Sequence, residues 1–320
     1  VVTLALLAPA GARASFPGDD GAIAYTFEGR IWALDPGTKA QFELTSGPGD
    51  ADPSFSASGD WLAFQRTAAA KSTIFLERAD GSGLVPLTTG REPAFSPDGR
   101  RIVFTRADGL FVTSAIPGSP VHRLTDRRGD IGPRWSSTGT IVFERDRVRR
   151  LRGAHGFERQ VTDELATIAP PSRRVQTLLT YELPGVEEEI EMRPDWSPAS
   201  TKVAAALCNY GPSAPIRTVP ALILHGECSP YVWAPDGHGL AEPKVGALSG
   251  RPGTNCPHFI SAETEVSWQP LHPGTLRVPT VDCQPVPPEP EGAVEPARSV
   301  RGARTCYYDR HTHRRRCFTS

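Results

Sequence analysis

The stretch Pro93-Ala94-Phe95-Ser96-Pro97-Asp98-Gly99, followed at once by Arg100-Arg101-Ile102-Val103-Phe104, decides how the rest of the chain is read. The same phrase returns as Pro53-Ser54-Phe55-Ser56, Pro133-Arg134-Trp135-Ser136 and Pro194-Asp195-Trp196-Ser197-Pro198. It appears again as Tyr231-Val232-Trp233-Ala234-Pro235-Asp236-Gly237, and in weakened form as Val266-Ser267-Trp268-Gln269-Pro270. From Phe55 onward the aromatic positions are separated by 40, 40, 61, 37 and 35 residues. A recurring period of this length holds one four-stranded unit.

Each part of the phrase has a physical role. The aromatic ring offers a large apolar surface on a short strand, suited to packing between adjacent sheets. Pro-Asp-Gly builds a tight reversal, because Pro presets φ, Asp bonds back to the backbone and Gly tolerates positive φ. Second strands follow at Trp61-Leu62-Ala63-Phe64, Ile102-Val103-Phe104 and Ile141-Val142-Phe143, and third strands at Ile74-Phe75-Leu76 and Leu110-Phe111-Val112. The fourth strand is expected to end on an apolar-Thr step at Leu87-Thr88, Leu124-Thr125 and Val161-Thr162. No segment sustains helical periodicity. The expected fold is therefore all-β, a β-propeller of stacked blades.

The two ends of the repeat region complement each other. Ile23-Ala24-Tyr25, Ile31-Trp32-Ala33-Leu34 and Glu43-Leu44-Thr45 match strands two to four of a unit without its first strand. Val266-Ser267-Trp268 supplies a first strand with no second. Joined, they close a ring and leave no long free edge. The phrase around Pro93–Gly99 resembles the WD-like repeat of TolB-type propellers, over Gly21 to about Leu271. The resemblance covers the propeller half only: TolB's preceding α/β domain has no counterpart between Ser15 and Gly21, so its role in the envelope Pal system does not carry over. Six blades are expected. The 61-residue interval leaves a seven-bladed alternative, in which Val175-Gln176-Thr177-Leu178-Leu179-Thr180-Tyr181 belongs to a degenerate unit.

Residues 1–14 read as part of a signal peptide, with apolar Val1–Ala8 before the small-x-small box Ala12-Arg13-Ala14. No initiator Met or basic segment precedes them, so the sequence is expected to be truncated there, with the mature chain starting at Ser15. The domain plan is then a propeller over 15–278, a Pro/Glu-rich linker over 279–297, and a small basic tail over 298–320. The expected location is secreted or periplasmic. No run of about 18 apolar residues offers a transmembrane helix.

Six cysteines suit an oxidising compartment. Cys208, Cys228 and Cys256 lie in the body, and Cys283, Cys306 and Cys317 beyond it. If all six pair within the chain, this three-and-three split requires an odd number of body-to-tail bridges. Cys306–Cys317 is expected to close a hairpin, with Cys283 bridging to a body cysteine. Cys306, His311, His313 and Cys317 also have the ligand types of a zinc site, but their short inner spacing and the exported setting favour the disulfide. The tail's seven arginines face only Asp309, making it +6 and the remainder −7. Arg310, Arg314, Arg315 and Arg316 are therefore candidate anion-binding residues, for wall polymer, lipid headgroups or nucleic acid, with a merely solvated basic tail as the open alternative.

Nothing in the sequence assembles a catalytic centre. There is no Gly-x-Ser-x-Gly elbow, Walker loop, dinucleotide fingerprint or EF-hand loop. His122, His155, His225, His238 and His258 are isolated. No catalytic residue, cofactor or metal is assigned. The expected function is a non-catalytic scaffold, monomeric, binding a protein or envelope component, with nucleic acid not the expected partner of the whole molecule. The alternative is a carbohydrate-active lyase or glycosidase using carboxylates or His-bound metal at the central channel.

Overall fold

Apolar runs such as Leu62-Ala63-Phe64 and Ile102-Val103-Phe104 do not alternate with polar residues, and all six of these side chains are at most 3% exposed. Both faces of their sheets are covered, so adjacent residues are buried on opposite faces. The computed structural model describes residues 16–38, 40–153, 156–182, 192, 194–206, 222–225, 232–233, 235, 240–241, 266–276, 304–309 and 314–319. For 147–153, 156–161 and the strands within 222–241 and 304–319, only the backbone path is described. Every regular element described is a strand. The signal segment, the linker and Cys208, Cys228, Cys256 and Cys283 lie outside the described residues.

Among the described residues, four antiparallel four-stranded sheets lie in the first compact unit, residues 1–284. One consists of β4 (Asp50–Phe55), β5 (Trp61–Ala68), β6 (Lys71–Arg78) and β7 (Val85–Thr89). The next consists of β8 (Arg91–Phe95), β9 (Arg101–Arg106), β10 (Gly109–Ser114) and β11 (Val121–Arg123). A third holds β12 (Asp130–Trp135), β13 (Ile141–Gly153), β14 (Gly156–Ile168) and β15 (Val175–Glu182). Shorter sheets follow, with β16 (Asp195–Trp196), β17 (Val203–Ala206) and β18 (Leu222–His225), then β19 (Val232–Trp233) and β20 (Leu240–Ala241). β17 and β18 pair in parallel.

The remaining four-stranded sheet closes the ring. β21 (Val266–Leu271) pairs antiparallel with β1 (Asp19–Phe27), which continues to β2 (Arg30–Leu34) and β3 (Gln41–Glu43). Both chain ends thus contribute to one sheet, as the sequence leads one to expect. Among the described strands, the first strands touch in a cycle: β4 on β8, β8 on β12, β12 on β16, β16 on β19, β19 on β21, and β21 back on β4. The fold is a β-propeller closed by its N-terminal strands.

Register confirms the repeat. Phe55, Phe95, Trp135, Trp196, Trp233 and Trp268 each sit opposite the matching second-strand residue: Leu62, Ile102, Ile141, Val203, Leu240 and Ile23. Phe55, Phe95 and Trp135 are buried, whereas Trp196 and Trp268 are only half-buried. After Phe55, Phe95, Trp135 and Trp196 the turn is organised chiefly by serine. In the second sheet, Ser96 Oγ accepts from Arg101 N–H at 3.0 Å and contacts Asp98 Oδ1 at 2.5 Å, while Gly99 has φ 67°. Ser56, Ser136 and Ser197 accept from Trp61, Thr140 and Lys202 N–H in the same way. Pro-Asp-Gly is thus one version of a turn that Ala57-Ser58-Gly59 and Ser137-Thr138-Gly139 also make.

One strand boundary of the sequence reading changes. The 61-residue interval is taken up by the 13-residue strands β13 and β14, and Val175–Glu182 pairs with β14 as the fourth strand of the same sheet. Val175–Glu182 thus belongs to the same sheet as β12 to β14. Val161-Thr162 accordingly lies within the third strand rather than ending the fourth, because the hairpin displaces the repeat register. The Thr step does hold elsewhere: Thr45 and Thr125 Oγ1 accept from Ile31 and Leu110 N–H, at 2.9 and 3.0 Å.

The second unit, residues 285–320, contains a hairpin of β22 (Arg304–Asp309) and β23 (Arg314–Thr319). Cys306 sits directly opposite Cys317.

Candidate functional site

Because the first strands touch one another around the ring, residues on them border its centre. Three of these strands carry a bulge at one shared position, where Asp52, Glu92 and Gly132 adopt φ of 55°, 52° and 60° just before a proline. The bulge leaves backbone donors outside the ladder, and the neighbouring blade supplies their acceptors. Gln65 Oε1 accepts from Glu92 N–H at 3.2 Å. Glu92 Oε2 accepts from Gly132 N–H at 2.8 Å and from Thr105 Oγ1 at 2.7 Å. Glu144 Oε2 accepts from Met192 N–H at 2.8 Å. These carboxylates stitch blade to blade. Farther along, Phe55 and Phe95 N–H donate to Ser267 and Ser54 of the preceding sheet.

Two other acids of the first strands are committed to arginine. Asp50 binds Arg66 in a two-pronged pair at 2.5 and 2.8 Å, and Asp130 binds Arg145 at 2.6 and 2.8 Å. Asp50 and Asp130 are fully buried, so each pair needs its fork geometry to offset desolvation. The second sheet has Gly90 at the corresponding place, and Arg106 instead donates to Thr89 O and Thr88 Oγ1. Glu77 is a different case. Its carboxyl is 5% exposed with Oε2 unpartnered, and burial together with the nearby Asp50 charge pushes its pKa up to about 7.

The concavity that stands out chemically lies between the exit of β11 and the start of β15. It is a pocket of about 260 Å³ lined by Arg123, Leu124, Thr125, Asp126, Arg127, Arg145, Arg173 and Val175. Leu124 and Val175 rest on the large core shared by the first three sheets listed above and give it an apolar floor. Arg145 is held by Asp130, and Arg123 pairs with Asp108 while lying over the Phe111 ring. Arg127 and Arg173 are exposed and make no ion pair among the described residues. The wall is suited to an anion. Sequence reasoning missed this pocket, because its members are scattered over fifty residues and meet only when two blades pack. The signal was the density of arginine from 123 to 174, outside the tail where basic clustering drew notice.

The tail arginines Arg314, Arg315 and Arg316 lie on β23, opposite Asp309, Tyr308 and Tyr307. Arg310 is outside the described residues. Among the described residues there is no cluster of three or more His, Cys, Asp or Glu arranged to hold a metal ion. No described helix is long and apolar enough to cross a membrane.

No protein-family model matches the chain, and no curated protein does. Several solved structures are similar at low identity. TolB from Acinetobacter baumannii is 19% identical with a TM-score of 0.43, the match covering 78% of this chain and 54% of that one. The chain therefore spans about half the length of that TolB. The β-propeller domain of the Trilobed protease from Pyrococcus furiosus is 12% identical with a TM-score of 0.34, covering 73% and 83% of the two chains. A chain of the nidogen/laminin complex is 11% identical with a TM-score of 0.41, covering 67% and 85%. The propeller assignment rests on the sheet order and ring closure above.

Proposed function

We propose that this is an exported six-bladed propeller of the TolB-like, WD-like repeat type, acting as a non-catalytic scaffold for a protein or envelope component. One observation carries the reading. Glu92 and Glu144 accept from Gly132 and Met192 N–H farther round the ring, and Asp50 and Asp130 are bound by arginines of their own sheets. A glycosidase needs a pair of carboxylates facing one substrate bond, one of them able to give up a proton. Carboxylates committed to backbone N–H donors are tied into the structure rather than aimed at a substrate bond. The test is incubation of the full chain with a panel of neutral and acidic polysaccharides, followed by assay for new reducing ends or unsaturated products. The scaffold reading expects none. Product that disappears in Glu92→Gln or Glu144→Gln would replace it with a carbohydrate-active enzyme.

Export carries its own test: the protein isolated from its natural host should begin at Ser15. The second unit fits the same setting. Directly opposed residues of an antiparallel pair have Cα atoms about 4.5–5.5 Å apart, within disulfide range, which favours a Cys306–Cys317 bridge. Non-reducing peptide mapping should recover that bridge, with Cys283 joined to Cys208, Cys228 or Cys256. Free Cys306 and Cys317 thiols, or bound zinc, would reverse this part of the reading.

A further inference from the structure

Two connections between neighbouring blades follow one plan. Thr45 and Thr125 each accept a strand N–H at the start, and Asp50 and Asp130 each hold a second-strand arginine, Arg66 and Arg145, at the end. Gly49 and Gly129 also match, their carbonyls accepting from Thr67 and Asp146 N–H at 2.8 and 2.9 Å. Position 127 therefore corresponds to position 47. Gly47 lies so close to the Arg66 guanidinium that a Cβ there would collide with it. Its counterpart is Arg127. The second connection thus carries a side chain and an extra positive charge where the first has room for neither. The pocket of about 260 Å³ lies there, with Arg127 and Arg145 both in its lining.

Charge sets the valence of a ligand. Four arginines line the pocket; Arg123 is paired with Asp108 and Arg145 with Asp130, and the lining also holds Asp126. Four guanidinium groups against these three carboxylates leave a surplus of one positive charge. It falls on Arg127 and Arg173, exposed and without an ion pair among the described residues. One carboxylate balances that surplus, whereas a run of phosphates overfills it. Size and floor set the rest. A volume of about 260 Å³ is below the ~300–1,000 Å³ of sites that enclose a drug-sized molecule. Leu124 and Val175, packed on the shared core, make one side of it apolar. Arg145 is 6% exposed and fixed by two bonds to Asp130, so part of the charged wall is held in place before anything binds.

We propose that this pocket captures the C-terminal residue of a partner polypeptide, its carboxylate on the arginine wall and an apolar last side chain on Leu124 and Val175. A chain end puts one carboxylate and one side chain on the same carbon, which matches a single surplus charge beside an apolar floor. Guanidinium groups recognise carboxylates through paired N–H donors. Asp126 is the carboxylate acceptor that the lining holds for the amide N–H of that last residue. An acidic residue inside a chain is a poorer fit, because it brings a carboxylate without an apolar branch and leaves the floor unfilled. The proposal deepens the scaffold reading and rests on it in taking the ligand to be a protein.

The experiment titrates the full chain calorimetrically at low salt with N-acetyl-glycyl-glycyl-leucine, its C-terminal amide, N-acetyl-glycyl-aspartyl-glycinamide, isocaproate and inorganic phosphate. The leucine free acid should bind saturably and about tenfold or more tighter than its amide, as expected for lost charge-assisted bonds. It should also bind more tightly than the other three probes. Arg127→Gln/Arg173→Gln should erase the difference between acid and amide. Lys71→Gln/Arg100→Gln, which removes the same charge from exposed positions outside the pocket, should preserve it. Thermal melts of both variants confirm that they fold. No saturable binding of the free acid, no gap between acid and amide, or a gap that survives loss of Arg127 and Arg173 would overturn the proposal. So would equally tight binding of isocaproate, of the aspartyl peptide or of phosphate, which would make this a site for free acids, for internal acidic residues or for any anion. Cleavage of the peptide during incubation, read by mass spectrometry, would instead sink the scaffold reading while leaving the site intact.

Discussion

Trp135 is 2% exposed, yet its indole N–H has no hydrogen-bond partner, and phenylalanine fills the matching register position in the two preceding sheets. Its value is volume, together with the Arg101 guanidinium lying 5.1 Å from its ring centre. Trp135→Phe should therefore cost less than about 1.5 kcal/mol, whereas Trp135→Ala should cost about 3–5 kcal/mol, measured by urea unfolding. Glu77 makes a prediction in pH. Its folded-state pKa of about 7 lies above the ordinary 4.5, so the folded protein holds the proton more tightly than the unfolded chain. This group's contribution to stability is complete below pH 4.5 and is lost as pH rises through 7. Glu77→Gln should flatten that slope and raise the melting temperature at alkaline pH; an unchanged pH profile would place the buried charge elsewhere. Such residues are hard to read from sequence. The aromatic of each phrase announced itself by size and period, but the serine after it, which ties the turn in four sheets, looks like any loop serine until its Oγ is seen accepting a strand N–H.

At the level of elements, the strands were legible because two-sided burial leaves short apolar runs such as Ile141-Val142-Phe143, bounded by turn residues. The β13–β14 hairpin was not, because Arg145–Arg152 alternates charge with too few apolar residues to register as a strand. Among the described strands its outer part pairs only with itself. Replacing 148–161 with Asn-Gly joins the register partners Arg147 and Thr162 through a two-residue turn, and should leave the melting temperature within a few degrees of the parent. The contrasting case is Glu92. Its carboxylate serves Thr105 and the backbone of the next blade, so Glu92→Ala strands two donors and should cost about 1–3 kcal/mol, with Glu92→Gln costing less. If excision of this outer part unfolded the protein, or Glu92→Ala were silent, the division between structural ring and dispensable hairpin would fail. The pocket was hidden for a related reason: Arg127 and Arg173 come from different blades, and spacing in sequence says nothing about which loops will meet.

The whole molecule depends on closure. Beyond the β1–β21 ladder, β21 and the segment after it grip the turn of the β4–β5 blade. Gln269 Nε2 donates to Gly59 O at 2.8 Å, Thr275 Oγ1 to Ser58 O at 2.9 Å, and Leu276 N–H to Asp60 Oδ1 at 2.8 Å. Gly59 has φ 75°, and a Cβ there would lie 2.0 Å from Pro270 O, so the approach admits only glycine. Removing residues 15–45 should strip β21 of its partner and produce aggregation through exposed edges rather than a soluble smaller domain. The most direct measurement uses the register itself, in which Ala24 is opposite Ser267. In the variant Ala24→Cys/Ser267→Cys, oxidation followed by non-reducing peptide mapping should recover one intramolecular cross-link between the peptides holding 24 and 267, with a raised melting temperature. A folded monomer in which both new thiols stay free, or link only between molecules, would contradict a ring closed by its own two ends.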